Sequence, residues 1–259
     1  MQKHQIFTGG NPLMLVQEID IIIKHDNEEY RVSPRLEGLY NPCGFLKGYE
    51  LLSDVVRIRE NEKIEPRAFF HSLNVENLSC ILFKQVELII QLVESLTPEI
   101  VISFNLDDRG LAIINADVKM LSKLKKYRAN IRVEIDEEFD FKMHHNQLEI
   151  IHDICGLWLD DFGKGDYVSQ DYYSYLFHGV KIDKDFTSRI IHLPNGIEIL
   201  NKVIVSLKKL FPKVIVEGVS DHEIACALSS SKADLLQGWF WKKQVVKSQQ
   251  ISSLIKIKL

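Results

Sequence analysis

The sequence has little that would tie it to a membrane, a disulfide framework or a nucleic acid. Its strongly apolar runs are only a few residues long, such as Leu13 to Val16 and, interrupted by Asp20, Ile19 to Ile23. A bilayer span needs about 18 consecutive apolar residues, so no membrane span is expected. Cysteines are sparse: Cys43, Cys80, Cys155 and Cys226 are four in 259 residues, each tens of positions from the next. That spacing fits neither a C-x-x-C metal motif nor a dense disulfide scaffold, which leaves reduced and mostly buried thiols as the expectation. A basic excess is missing too, because 32 Lys and Arg face 36 Asp and Glu for a net charge of −4. DNA finds no global attraction in such a chain. The start lacks the pattern of a secretory signal, so the expected location is cytoplasmic. No P-loop and no kinase glycine loop occurs.

Apolar residues at 46% supply ample core, and no Pro- or Ser-rich linker divides the chain. Residues 1–28 are expected to form an N-terminal helical extension, with Leu13, Val16, Ile19 and Ile23 at helical spacing. Residues 29–259 are expected to form one domain. Within it, eight short strand-like runs begin near Tyr30, Phe45, Ile100, Ile131, Gly156, Gly179, Lys213 and Asp234. Amphipathic segments lie between most of them: Phe83 to Leu96, Leu111 to Lys126, Gln147 to Ile154, Ile197 to Leu210, His222 to Ser229 and Val245 to Ile255. Eight strands alternating with helices predict an α/β fold, the (β/α)8 TIM-like barrel, and about 250 residues suit it. The first two strands lack a long helix between them, so a parallel crossover there is not expected.

Barrel chemistry gathers at the carboxyl ends of the strands. Those ends are acidic here: Glu50, Glu137, Asp160, Asp161 and Glu217, joined by Asn105, Lys181 and Gln237. One carboxylate at a strand end is commonly a helix cap. Five facing one mouth repel one another unless they protonate or bind cations. All-oxygen ligands select hard ions such as Mg²⁺ or Mn²⁺. The adjacent pair Asp160-Asp161 suits two ions of the kind that cleave phosphoesters, with Lys181 to steady developing negative charge.

The same residues carry a family resemblance. Gly48-Tyr49-Glu50-Leu51-Leu52 resembles the Glu-Ala-Leu signature of EAL-domain cyclic di-GMP phosphodiesterases. In family order follow Asn105-Leu106, Glu134-Ile135-Asp136-Glu137, Asp160-Asp161-Phe162-Gly163, Lys181-Ile182-Asp183, Glu217-Gly218-Val219 and Gln237-Gly238. The resemblance implies a barrel whose first strand is antiparallel, and hydrolysis of cyclic di-GMP to linear pGpG with two Mg²⁺ or Mn²⁺ ions. It implies Glu50, Asn105, Glu137 and Asp160 as ligands of one ion and Asp160, Asp161 and Glu217 of the second. Lys181 and Gln237 would hold or polarise the attacking water. Arg35, Leu52 and Asp161 are the expected substrate contacts, and a homodimer or a regulatory protein partner the expected assembly options.

Four departures stand out. Asp54 occupies the position where the family has a phosphate-gripping Arg, and Ser33-Pro34-Arg35 replaces Gln-Pro-Ile. Ser220 replaces a Glu, and Gly163-Lys164-Gly165-Asp166 replaces Gly-Thr-Gly-Tyr. Two function classes therefore stay open: a phosphodiesterase with an altered substrate grip, and a domain that binds nucleotide or protein without turnover.

Overall fold

The structure, a computed structural model, describes residues 19–165, 174–241 and 244–245. In chain order its strands and helices are β1 (Ile21–His25), β2 (Glu28–Tyr40), β3 (Leu46–Arg57), β4 (Glu62–Ile64), α1 (Pro66–Ser72), α2 (Val75–Ser95), β5 (Val101–Asn105), α3 (Asp108–Ala116) and α4 (Val118–Lys126). There follow β6 (Ile131–Asp136), α5 (His145–Ile154), β7 (Gly156–Phe162), β8 (Gly179–Ile182), α6 (Lys184–Ile191), α7 (Gly196–Leu207), β9 (Val214–Val216), α8 (His222–Leu228), β10 (Leu235–Leu236) and β11 (Gln244–Val245).

Eight strands close the barrel in the order β2-β10-β9-β8-β7-β6-β5-β3, and β2 pairs with β3 to complete the ring. β2 is antiparallel to both of its barrel neighbours, while β3 and β5 to β10 run parallel. All eight expected strands are present, as is the antiparallel first strand. β3 can run so close to β5 because Gly48 has no side chain: a Cβ there would lie 2.5 Å from the Val101 carbonyl oxygen.

Helix starts follow local chemistry. The side chains of Asn74, Asp107, Asp117, Asp183 and Asp221 accept backbone N–H groups at the starts of α2, α3, α4, α6 and α8, supplying partners that the first turn of a helix lacks. Asp117 also divides the single helix expected over Leu111 to Lys126 into α3 and α4. The helix expected over Val245 to Ile255 lies outside the described residues, except that Val245 is in β11.

The N-terminal expectation needs correction. Ile21–His25 is a strand, not the end of a helix, and it pairs antiparallel with β2 from Ile21↔Val32 to His25↔Glu28. Asp26 and Asn27 both have positive φ, 49° and 63°, the requirement of a two-residue turn matched to strand twist. The expected boundary at residue 28 thus falls inside a hairpin. Residues 1–18 lie outside the described residues. Ile21 and Ile23 face the core while Ile22 faces out, the period-2 burial of a strand.

β2 and β3 continue beyond the barrel, pairing as far as Tyr30↔Arg57. With β1 on one side and β4 on the other they form a four-stranded antiparallel wall on one side of the mouth. The barrel interior has two layers. Leu39, Trp158, Ile215 and Leu235 form a buried apolar plug, with Val101 packed against it. Two residues further along three of these strands stand Asp160, Glu217 and Gln237. Strand alternation returns them to the same interior face.

Candidate active site

At the carboxyl end of the barrel one ammonium group gathers three carboxylates from β3, β6 and β7 and a fourth from the residue that follows β9. Lys181 Nζ lies 3.0 Å from Glu50 Oε2, 2.8 Å from Glu134 Oε2, 3.1 Å from Asp160 Oδ1 and 2.8 Å from Glu217 Oε1. The Lys181 side chain is 1% exposed and that of Glu134 0%. Lys181 is the centre of the site because β8 places it between β7, which carries Asp160, and β9, which leads to Glu217. Amide groups complete the ring: Asn105 Nδ2 donates to Glu50 Oε1 at 2.8 Å, and Gln237 Nε2 donates to Glu50 Oε2 at 2.6 Å.

One cation against four carboxylates leaves the cluster acidic, and burial magnifies the imbalance. Burial pushes Glu217 up to about 8, helped by the charges of Asp160 and Glu50 against Lys181. Asp160 is pushed up to about 6 by burial, with Glu50 and Asp161 adding to it. Glu134 is driven well above the usual carboxylate range by burial and by Glu50 and Asp160. Burial would raise Glu50 as well, but Lys181 and the hydrogen bonds from Gln237, Lys181 and Asn105 hold it below its ordinary value. Burial acts to lower Lys181, yet Asp160, Glu134, Glu217 and Glu50 together keep it firmly protonated.

Several oxygens in this ring lack hydrogen-bond partners. Glu134 Oε1, Asp160 Oδ1 and Gln237 Oε1 are buried and accept no hydrogen bond; Asp160 Oδ1 is close to Lys181 but outside hydrogen-bond geometry. Beside them, ligand oxygens of Asp160, Asp161 and Glu217 lie within 4.8 Å of one another. Asp161 reaches this position with a left-handed backbone, φ 59°. The donor set is all oxygen and carries excess negative charge. It fits hard divalent cations such as Mg²⁺ or Mn²⁺.

The structure brings together Glu50, Lys181, Asp160 and Glu217, with Asn105 and Gln237 hydrogen-bonded to Glu50 and Asp161 beside Asp160 and Glu217. It moves one expected ligand elsewhere. Glu137, just past the end of β6, accepts from Gly163 N at 3.1 Å and Gly165 N at 3.5 Å, so it tethers the loop after β7. Burial raises its carboxyl, opposed by the amides of Gly165, Gly163 and Lys164. Glu134 takes the place expected for Glu137 in the Lys181 cluster. Period-2 alternation carried the signal: Ile131, Val133 and Ile135 pack outward against the helices, which turns Glu134 into the barrel.

Of the expected substrate contacts, Leu52 is half-buried and pairs across the strands with Arg35. Arg35 is tied to Glu37 at 2.5 Å and to Asp54 at 3.2 Å. Asp161 pairs with Lys164 at 2.5 Å. Trp239, two residues beyond Gln237, is 74% exposed, whereas Trp241 stacks on Tyr40 at 4.4 Å. His144, His145 and His152 make separate contacts, with Gln147, Glu149 and the Leu176 carbonyl. Only Cys155 is buried; Cys43, Cys80 and Cys226 are exposed, contrary to the expectation of mostly buried thiols. No described helix is long and apolar enough to cross a membrane.

The comparisons with known proteins agree with this geometry. The family model described as EAL domain matches residues 36–244. No curated protein matches the chain. Among solved structures, the EAL-like domain protein YdiV is similar with a TM-score of 0.75 at 18% identity, covering 87% of this chain and 96% of that one. The PaMucR phosphodiesterase in complex with c-di-GMP is similar at 0.66 and 19% identity, covering 85% and 94%. A manganese and cy-diGMP complex of BlrP1 from Klebsiella pneumoniae is similar at 0.62 and 17%, covering 88% and 60%. At these identities the solved structures show the shared fold. The family match spans most of the chain and includes every member of the Lys181 cluster: the chain belongs to the EAL-domain family.

Proposed function

We propose that the protein is a metal-dependent phosphodiesterase that hydrolyses cyclic di-GMP to linear pGpG. The observation that carries this reading is the crowding of four carboxylates around the single ammonium of Lys181, with Glu134 Oε1 and Asp160 Oδ1 accepting no hydrogen bond, next to the cluster of Asp160, Asp161 and Glu217. Enclosed carboxylates whose charge one cation cannot balance cost several kcal/mol, and divalent cations relieve that cost. Glu50, Asn105, Glu134 and Asp160 would hold one ion, and Asp160, Asp161 and Glu217 the second. Two such ions supply Lewis-acid polarisation of a phosphate ester and lower the pKa of water.

The chain's own groups then divide the remaining work. Lys181 stays protonated and fixes the carboxylates at 2.8–3.1 Å, so it acts as an electrostatic stabiliser and not as a proton acceptor. Gln237 donates to Glu50 through Nε2 while its Oε1 has no partner, leaving an acceptor that can orient the attacking water. Asn105 spends its amide N–H on Glu50 and keeps its carbonyl oxygen as a ligand atom. Glu137 holds the loop carrying Gly163 and Gly165 against the site. Arg35 and Leu52 form the side of the mouth on which the dinucleotide would rest.

Purified protein incubated with cyclic di-GMP and Mn²⁺ should yield pGpG, resolved by chromatography, and Glu50→Ala should lower the rate by at least about a hundredfold, as expected when a ligand and the hydrogen-bonding centre of the site is removed. Absence of turnover across a broad range of pH and metal would reject this reading in favour of binding without catalysis.

A further inference from the structure

The β2–β3 side of the mouth carries a second charged constellation. In this ladder Ser33 faces Asp54, Arg35 faces Leu52 and Glu37 faces Glu50, so alternate side chains of β2 share the interior face with Glu50. Two like charges stand opposite each other at Glu37 and Glu50. Gln237 Nε2 bridges them, at 3.3 Å from Glu37 and 2.6 Å from Glu50. Arg35 extends this chain outward: its Nη1 donates to Glu37 Oε1 at 2.5 Å and its Nε to Asp54 Oδ1 at 3.2 Å.

Arg35 therefore serves two carboxylates with one charge, and the trio is net negative. Its Nη2 has no partner among the described residues, so the guanidinium fork keeps two N–H donors for an incoming group. The side chain is 16% exposed, against 58% for Asp54. Other described cations near the mouth are paired as well: Lys181 is surrounded by four carboxylates, Arg67 bridges Asp136 and Glu138, and Lys164 pairs with Asp161. Arg35 is set apart by standing on the same face of the β2–β3 ladder as Glu50 with a planar fork that suits a phosphate diester.

We propose that Asp54 sets the affinity for the substrate: it shares the guanidinium of Arg35 on which a substrate phosphate docks, and by over-neutralising it keeps that docking weak. The inference rests on the phosphodiesterase reading and deepens it. Asp54 touches neither the ions nor the reacting ester; it acts through Arg35 and is a specificity-determining residue. Replacing Asp54 by Asn keeps an acceptor for Nε and removes one negative charge. Replacing Arg35 by Gln removes the phosphate's cation.

The test combines calorimetric titration of a phosphorothioate analogue of cyclic di-GMP, in the presence of Mn²⁺, with steady-state hydrolysis of cyclic di-GMP. Asp54→Asn should bind the analogue roughly 2- to 5-fold more tightly, the scale of a partly exposed ion pair, and lower KM in proportion. Arg35→Gln should weaken binding about tenfold, the scale of a charge-assisted hydrogen bond. Arg35→Lys, which keeps the charge and loses the fork, should fall between, and thermal unfolding should show all three variants folded. Weaker or unchanged binding by Asp54→Asn, or unchanged binding by Arg35→Gln, overturns the inference. Wild-type turnover with a KM indifferent to both positions overturns it alone. No binding and no turnover by wild type and Asp54→Asn alike overturns the function together with it.

Discussion

The two layers of the barrel interior are built on the same strands and differ by one step of alternation. Below, Leu39, Trp158, Ile215 and Leu235 exclude water and pack as a core. Above, Glu50, Glu134 and Lys181 are as thoroughly enclosed but ionisable, and Asp160 and Glu217 are partly open toward the mouth. Burial of the lower layer is favourable, about 1.5–3 kcal/mol for each large aliphatic side chain. Burial of the upper layer raises Glu134, Asp160 and Glu217 and is unfavourable in the absence of cations. The plug supplies rigidity, and the layer above spends part of that stability on holding charge in place.

The strongest test of this contrast removes one member of each layer. Lys181→Met should destabilise the ion-free protein by about 3–5 kcal/mol at pH 7, because four buried carboxylates lose their shared cation. Trp158→Ala should lose a similar ~3–5 kcal/mol through a cavity. Urea denaturation at two pH values separates them. The Lys181 effect should shrink at pH 5, where Asp160, pushed up to about 6, takes up a proton as Glu217, pushed up to about 8, has done by pH 7, whereas the Trp158 effect should stay constant. Equal pH dependence in the two variants would dissolve the distinction between the layers.

A smaller effect of opposite sign is expected at Glu134. Glu134→Gln removes one charge from an overfull cluster and should stabilise the ion-free protein by about 1 kcal/mol, while weakening Mn²⁺ binding by about tenfold or more, read by electron paramagnetic resonance. Glu137→Gln should affect Mn²⁺ binding far less, since Glu137 tethers a loop. The reverse ranking would restore Glu137 as the ligand.

The gentlest perturbation is pH itself. Glu217 titrates near 8 and Asp160 near 6 in the folded, ion-free protein, above the ordinary carboxylate range that applies when unfolded. The folded state then binds more protons than the unfolded state between about pH 4 and pH 8, so stability falls as pH rises through that window. The melting temperature without ions should decline from pH 5 to pH 8, and Mn²⁺ should raise it more at pH 8 than at pH 5. A melting temperature that rises over that window would contradict the charge imbalance.

Much of the fold is legible in the sequence because a barrel strand with helices outside and a packed interior must be apolar on both faces over most of its length. Runs such as Val101 to Phe104 and Leu157 to Leu159 announce themselves. β1 does not, since Ile21 and Ile23 fit either period; the neighbouring Asp26-Asn27 turn is the better clue. Helices α1 and α6 are too short for periodicity to reveal, although Pro66 after the capping Glu65 marks one start and Asp183 the other. In the site, Glu50, Asp160, Lys181 and Glu217 are legible as strand-end residues. Glu134 is not, because it lies inside a strand and only a face count from Ile131 places it inward. The shared occupation of Arg35 by Glu37 and Asp54 is hidden for another reason: it depends on the β2–β3 register, which joins positions 19 residues apart.

The wall above the mouth gives that register a mechanical meaning. Seven residue steps separate the hairpin end at Glu28 from Arg35 along a single strand, about 23 Å at strand rise. The barrel anchors the far end of β2 through β10 at Tyr40, β11 pairs with its middle at Leu36 and Arg35, and nearer the hairpin its described partners are β1 and β3. A force on the hairpin works as a hand on a long lever whose fulcrum is the barrel rim. Arg35 and Glu37 lie on this strand between the hairpin and the barrel rim, so a displacement of the hairpin passes through their ion pair before it reaches Glu50 and the Lys181 cluster.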